Sequence, residues 1–179
     1  MMTQHAGPPI AAVIGSPVAH SLSPVIHQAA FDAAGVDWVY TAFDIARGSA
    51  EEAISAMRLL GLAGLSVTMP HKSDVARLVD RLEPAARALD AVNTVSWDGG
   101  ELVGSSTDGA GFVASLAEDG IDVTDARVAV IGAGGAARSV IDAVGRAGAA
   151  DITVLNRTRI VPNRPQRCHR QHLSGSSVM

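Results

Sequence analysis

A chain of 179 residues holds one ordinary domain, or one small domain with part of another. Apolar residues make up 47% and charged residues 18%, which supports a packed core and excludes an intrinsically disordered chain. The net charge of −4 argues against nucleic acid as the partner, because phosphate backbones are bound by basic surfaces.

In chain order, residues 1–25 contain no Lys or Arg and so lack the basic start of a secretory signal. Residues 10–14 are a short apolar run ending at Gly15-Ser16-Pro17, a strand followed by a turn. Ser23-Pro24 supplies an N-cap and a first-turn proline for a helix to about residue 34, closed by Gly35. Residues 38–45 alternate as a strand. Residues 49–60 carry the helical stripe Ala53, Ile54, Met57, Leu60 behind a Ser49/Glu52 capping box. Residues 65–69 read as a strand, and Pro70 opens a helix. Residues 92–97 and 102–104 flank Asp98-Gly99-Gly100 as a hairpin, and residues 108–116 form a helix.

A new unit starts near Ile121, with a strand at 127–131, a glycine loop at 132–135, a helix at 136–147 and a strand at 152–155. That is the length of one βαβ unit. After Thr158 the chain has no acidic residue, no helical stripe and no alternation, and residues 159–179 read as a disordered tail. Aromatics are only 3%, so the core is built from Ala, Val, Leu and Ile, as suits helices on a parallel sheet. No apolar run approaches the ~18 residues of a membrane span. One cysteine cannot form an internal disulfide. The expectation is a soluble cytoplasmic protein without a membrane partner.

The glycine loop, Gly132-Ala133-Gly134-Gly135-Ala136, sits between an apolar strand and a helix. Glycines let the backbone approach a pyrophosphate, and the free N–H groups of the helix start favour its charge. The alternative is a tight turn without a ligand. An NAD site would place an acid at the end of the following strand. This strand ends in Asn156-Arg157-Thr158, which suits the 2′-phosphate of NADP and favours it over NAD; the alternative is an exposed surface Arg.

Lys72 is the only lysine in the chain; arginines do not release a proton near neutral pH. It stands at a strand-to-helix junction, where α/β proteins place ligand groups. Asp108 is its natural carboxylate partner for a proton shuttle, and equally a helix N-cap. Ser21 and Ser23 can bind a carboxylate beside a helix start. His71 reads as a cleft-lining side chain, and no spacing of His, Cys and carboxylates forms a metal motif.

Several segments in order resemble the shikimate dehydrogenase family: Ile14-Gly15-Ser16-Pro17-Val18-Ala19-His20-Ser21-Leu22-Ser23-Pro24, Val67-Thr68-Met69-Pro70-His71-Lys72, Ala91-Val92-Asn93-Thr94, Thr107-Asp108-Gly109, the glycine loop, and Asn156-Arg157-Thr158. The resemblance implies NADPH-dependent, reversible reduction of 3-dehydroshikimate to shikimate, on the way to aromatic amino acids through chorismate. It implies that Lys72 and Asp108 are the catalytic pair. Ser21 and Ser23 would hold the substrate carboxylate, and Thr68, Asn93 and Asp108 the ring hydroxyls. Gly132, Ala133, Gly134, Gly135 and Ala136 would cradle pyrophosphate, and Asn156, Arg157 and Thr158 would read the 2′-phosphate. Ser66, also on the substrate side, and Ser106 stand where the family usually has Asn, which leaves quinate or another ring acid open.

The expected architecture is an N-terminal α/β substrate-binding domain followed by an incomplete Rossmann-like NADP-binding domain. In residues, this is a shikimate-binding catalytic domain at 8–106, a connecting helix and linker at 107–123, a partial NADP domain at 124–158 and a non-family tail at 159–179. The break at Arg159 reads as a frameshift or premature ending. A non-catalytic remnant that only binds shikimate-like acids is the other function kept open, and a homodimer stays open as partner. A folate-linked methylene dehydrogenase shares the two-domain plan, but Ser21, Ser23 and Asn156-Arg157-Thr158 count against it.

Overall fold

The computed structural model describes residues 7–156; Arg157, Thr158 and the expected tail lie outside the described residues. The chain divides between Asp108 and Gly109 into two units. Among the described residues no helix is long and apolar enough to cross a membrane.

Strand β1 (Ile10–Gly15) is apolar on both faces and buried on both, the expected pattern for a central parallel strand. It pairs in parallel with β2 (Val39–Asp44) and β3 (Gly64–Val67). The hairpin β5 (Thr94–Asp98) and β6 (Glu101–Ser105) continues the sheet antiparallel from β3, and the short β4 (Arg81–Leu82) runs parallel to β6 at the edge. The spatial order is β2-β1-β3-β5-β6-β4.

Strand alternation splits the core in two. Ala12, Ile14, Leu65 and Val67 face α2 (Ala50–Leu60), whose Ala53, Ile54 and Met57 are buried there with Val75, Val92, Val95 and Leu102. Ala11 and Val13 face the other way, in a cluster with Val18 and Tyr40, where α1 (Ser23–Ala34) brings Phe31 against Tyr40 and Trp38. The loop from β3 leads into α3 (Lys72–Ala76), and α4 (Pro84–Leu89) connects β4 to β5.

The second unit contains nearly all of α5 (Asp108–Glu118), then β7 (Arg127–Ile131), α6 (Gly135–Arg146) and β8 (Asp151–Leu155). β7 and β8 are parallel and in register from Arg127↔Asp151 to Ile131↔Leu155. Every second residue of both strands is half-buried, and Ile152 reaches Gly145 of α6. α5 lies close on α6: a Cβ at Gly109 would collide with the Ser139 carbonyl oxygen.

Three local expectations are corrected. Ser23 is not the N-cap of α1; the cap position is Leu22, and Ser23 is already the first helical residue. Ser49 does cap α2 by position, but without a side-chain hydrogen bond. Pro70 does not open a helix: the Met69–Pro70 bond is cis, and α3 begins at Lys72 after a turn closed by His71 N–H on the Thr68 carbonyl, 3.0 Å.

Candidate active site

The ends of β1 and β3 and the start of β5 hold one loop cluster together through backbone bonds. Thr68 N–H donates to the Ile14 carbonyl at 2.9 Å, and Ser16 N–H donates to the Met69 carbonyl at 2.9 Å. Gly15 is needed where the strands meet, since a Cβ there would strike the Thr68 methyl. Val92 N–H donates to the Lys72 carbonyl at 2.9 Å, and Val67 N–H to the Asn93 carbonyl at 2.7 Å. The backbone of Lys72 is thus fixed against the segment that carries Asn93.

Lys72 Nζ lies 2.6 Å from Asp108 Oδ2. Asn93 Nδ2 donates to the other oxygen, Asp108 Oδ1, at 2.6 Å, and to Thr107 Oγ1 at 3.0 Å. Asn93 Oδ1 in turn accepts from Thr107 N–H at 3.0 Å and from Thr94 Oγ1 at 2.9 Å. The amide is therefore oriented by its neighbours, with the nitrogen facing the carboxylate. Side-chain exposures of 32% and 40% for Lys72 and Asp108 leave the pair open to a ligand. An ammonium has three donors and a carboxylate about four acceptor sites, so this pair can bind a hydroxyl and exchange a proton with it.

Ser21 and Ser23 form a second, linked pair. Ser21 Oγ donates to Ser23 Oγ at 3.1 Å and accepts from Ser23 N–H at 3.2 Å. The first turn of α1 holds no acidic residue, so its positive end is uncompensated. Ser66 is half-buried and accepts a hydrogen bond from the Tyr40 hydroxyl at 2.6 Å. Thr68 contributes backbone bonds and the methyl contact, and is half-buried beside the loop.

In the second unit, Gly132 takes φ +109°, a conformation that side chains rarely adopt, and its N–H donates to the Leu155 carbonyl at 2.7 Å. Gly134 is the extended N-cap of α6, no acid lies in the first turn, and a Cβ at Gly134 or Gly135 would meet nothing within 4 Å among the described residues. Gly134, Gly135 and Ala136 are exposed and Ala133 is half-buried. Bare backbone before a three-turn helix fits a phosphate group. Asn156 directly follows β8, while Arg157 and Thr158 lie outside the described residues.

His71 does not line a cleft. It is fully buried, its Nε2 lies 2.7 Å from the Ile45 carbonyl, and its Nδ1 has no hydrogen-bond partner among the described residues. A carbonyl only accepts, so the ring carries its proton on Nε2 and ties the start of α3 to the residues after β2. Two residues went unassigned in the sequence. Thr107 orients Asn93, and its place beside Asp108 was the available signal. Tyr40 is the only tyrosine in the chain, which was the signal for its polar role.

Residues 13–95 match the family model described as the shikimate dehydrogenase substrate binding domain. The shikimate dehydrogenase (NADP(+)) of Geobacter metallireducens is 47% identical over 147 residues, 82% of this chain and 51% of that protein. That of Symbiobacterium thermophilum is 48% identical over 150 residues, 84% and 51% of the two chains. The crystal structure of shikimate 5-dehydrogenase from Thermus thermophilus in complex with NADP(H) and shikimate matches with a TM-score of 0.78 at 37% identity, covering 84% of this chain and 56% of that one. The chain spans about half the length of the curated relatives it matches.

Proposed function

We propose that the chain is a member of the shikimate dehydrogenase family and carries out the NADPH-dependent, reversible reduction of 3-dehydroshikimate to shikimate in the cytoplasm. The reaction is a step of aromatic amino acid biosynthesis through chorismate. In this reading residues 8–106 are the shikimate-binding catalytic domain and 107–123 the connecting helix and linker. Residues 124–158 are the part of an NADP-binding Rossmann domain that this chain carries.

The observation that carries the proposal is the Lys72–Asp108 pair at 2.6 Å, with Asn93 on the second carboxylate oxygen. When NADPH is bound it supplies the hydride that reaches the substrate's carbonyl carbon. The chain's own work is at the oxygen. Lys72 Nζ gives the proton that turns the carbonyl into a hydroxyl, and takes it back in the oxidation direction. Asp108 keeps Nζ aimed and accepts from the neighbouring ring hydroxyl. Asn93 fixes the carboxylate and, with Thr68, presents polar groups to the ring. Ser21 and Ser23 offer hydroxyl donors to the substrate carboxylate, and Ser66 is a further hydroxyl on the substrate side. Gly132, Ala133, Gly134, Gly135 and Ala136 would hold the pyrophosphate, and Asn156, Arg157 and Thr158 the 2′-phosphate.

The test is NADP reduction by the 179-residue chain with shikimate, followed by absorbance beside a Lys72→Ala variant. Shikimate-dependent reduction that drops by a factor of roughly 100 or more in the variant is the expected result. A folded wild-type chain that reduces no NADP, or a variant as active as wild type, overturns the proposal.

A further inference from the structure

Tyr40 lies outside the Lys72 cluster, yet its hydroxyl is committed to a residue of the same site. The phenol is only 8% exposed. Its ring is stacked on His27 of α1, with centroids 4.3 Å apart and planes 11° from parallel, and tilted against Phe31. Its backbone N–H is held by Gln28 Oε1 at 3.0 Å. A side chain fixed from ring and backbone has one place for its hydroxyl, and that place is Ser66 Oγ at 2.6 Å. This is at the short end for an O–H···O bond.

The direction of the bond follows from acidity: a phenol is the stronger donor and an alkyl hydroxyl the better acceptor. Burial pushes the Tyr40 phenol above its ordinary range, opposed by the bond to Ser66, so the proton stays on the ring oxygen. Ser66 then has its own O–H left to donate, and a hydroxyl that accepts a hydrogen bond donates a stronger one, by about 10–30%. Leu65 and Val67 point into the α2 side of the core, so Ser66 points to the α1 side. There the start of α1 carries the Ser21–Ser23 pair and no acid in its first turn. A chain of donors ending on this face suits a ligand group made only of acceptors.

We infer that Tyr40 is a specificity-determining residue that acts through Ser66, aiming the serine O–H at the carboxylate of the acid ligand. This rests on the proposed shikimate-binding reading. The prediction separates an acid from its neutral ester, which shares the ring and its hydroxyls.

The experiment is calorimetric titration of the full 179-residue chain with shikimate and with methyl shikimate. The proteins are wild type, Tyr40→Phe, Ser66→Ala and the double variant, each checked for folding by thermal melting. Tyr40→Phe keeps the ring stacked on His27 and removes only the hydroxyl. The expected result is shikimate affinity reduced by about 5–10-fold in Tyr40→Phe, the size of one ordinary hydrogen bond. The double variant should be no weaker than Ser66→Ala alone, and methyl shikimate binding should be nearly unchanged. Wild-type binding of shikimate with Tyr40→Phe unaffected sinks the inference alone. Equal losses for acid and ester, or losses that multiply in the double variant, do the same. Should Tyr40→Phe not fold, Ser66→Ala must still lose shikimate selectively over the ester, or the inference falls. A folded wild-type chain that binds neither ligand removes the shikimate-binding reading itself, and the inference with it.

Discussion

Asp108 answers to two neighbours at once, Lys72 on one oxygen and Asn93 on the other. Because the pair is partly exposed, its contribution to stability is small, on the order of 1 kcal/mol or less, whereas the proposed role gives it a large contribution to proton transfer. Asp108→Asn therefore separates the two roles. Thermal melting should shift little, and shikimate-dependent NADP reduction should fall roughly 100-fold or more; a large loss of stability with activity retained contradicts the assignment. Asp80 shows the opposite balance. The Leu102 N–H, at 2.7 Å, holds its carboxyl below the ordinary range, and Arg58 at 2.9 Å adds to this. A carboxyl lowered in the folded state stabilises above its ordinary value and loses that stabilisation as pH falls through the lowered one. Melting compared between wild type and Asp80→Asn should show a wild-type advantage of about 1 kcal/mol near pH 7, discounted for exposure. The advantage should begin to shrink as pH falls below about 4 and be gone only once pH is under the lowered value. A constant difference across that range contradicts the linkage.

At the scale of elements, the glycine loop and α6 make a prediction in which stability and binding move apart. A Cβ at Gly135 meets nothing within 4 Å among the described residues, and an acid in the first helical turn favours the helix dipole. Gly135→Asp should keep or slightly raise the melting temperature, yet weaken NADP binding roughly tenfold or more by placing like charge beside the pyrophosphate. Unchanged affinity in a fluorescence titration contradicts the loop's assignment. This βαβ segment was the most legible part of the sequence. The β7 run at 127–131 agrees to the residue, and the α6 and β8 boundaries shift by one, because apolar strands and a long amphipathic helix repeat their signals over many residues. By contrast β4, with two residues, and α4, with six, went unread. Neither is long enough to show a period, and β4 exists only through its pairing with β6. The misplaced cap at Ser23 has a local cause: a Ser-Pro step suits several positions of a first turn, and here Ser21 takes up the bond instead.

On the whole-molecule scale, the mixed sheet buries one apolar layer on each face and leaves its polar groups at strand ends. That is why motifs far apart in sequence meet in one cluster. Lys72 and Asp108 are 36 residues apart; the chain's single lysine and a carboxylate ahead of a helix nominated them, on chemistry and resemblance together. Tyr40 and Ser66 are 26 apart, and nothing in their local sequence announces the bond. It depends on β1 lying between β2 and β3, and strand order across a sheet is not written in any one segment. His71 was misread for the same reason, since its partner Ile45 follows a different strand. The central claim is that the Lys72–Asp108–Asn93 cluster is a binding site for shikimate. Its most direct measurement is titration of shikimate into the 179-residue chain beside Lys72→Met, with heat of binding as the readout. The account predicts saturable one-site binding to wild type, weakened at least about tenfold in the variant. A folded wild-type chain with no saturable binding, or a variant that binds equally well, would contradict it.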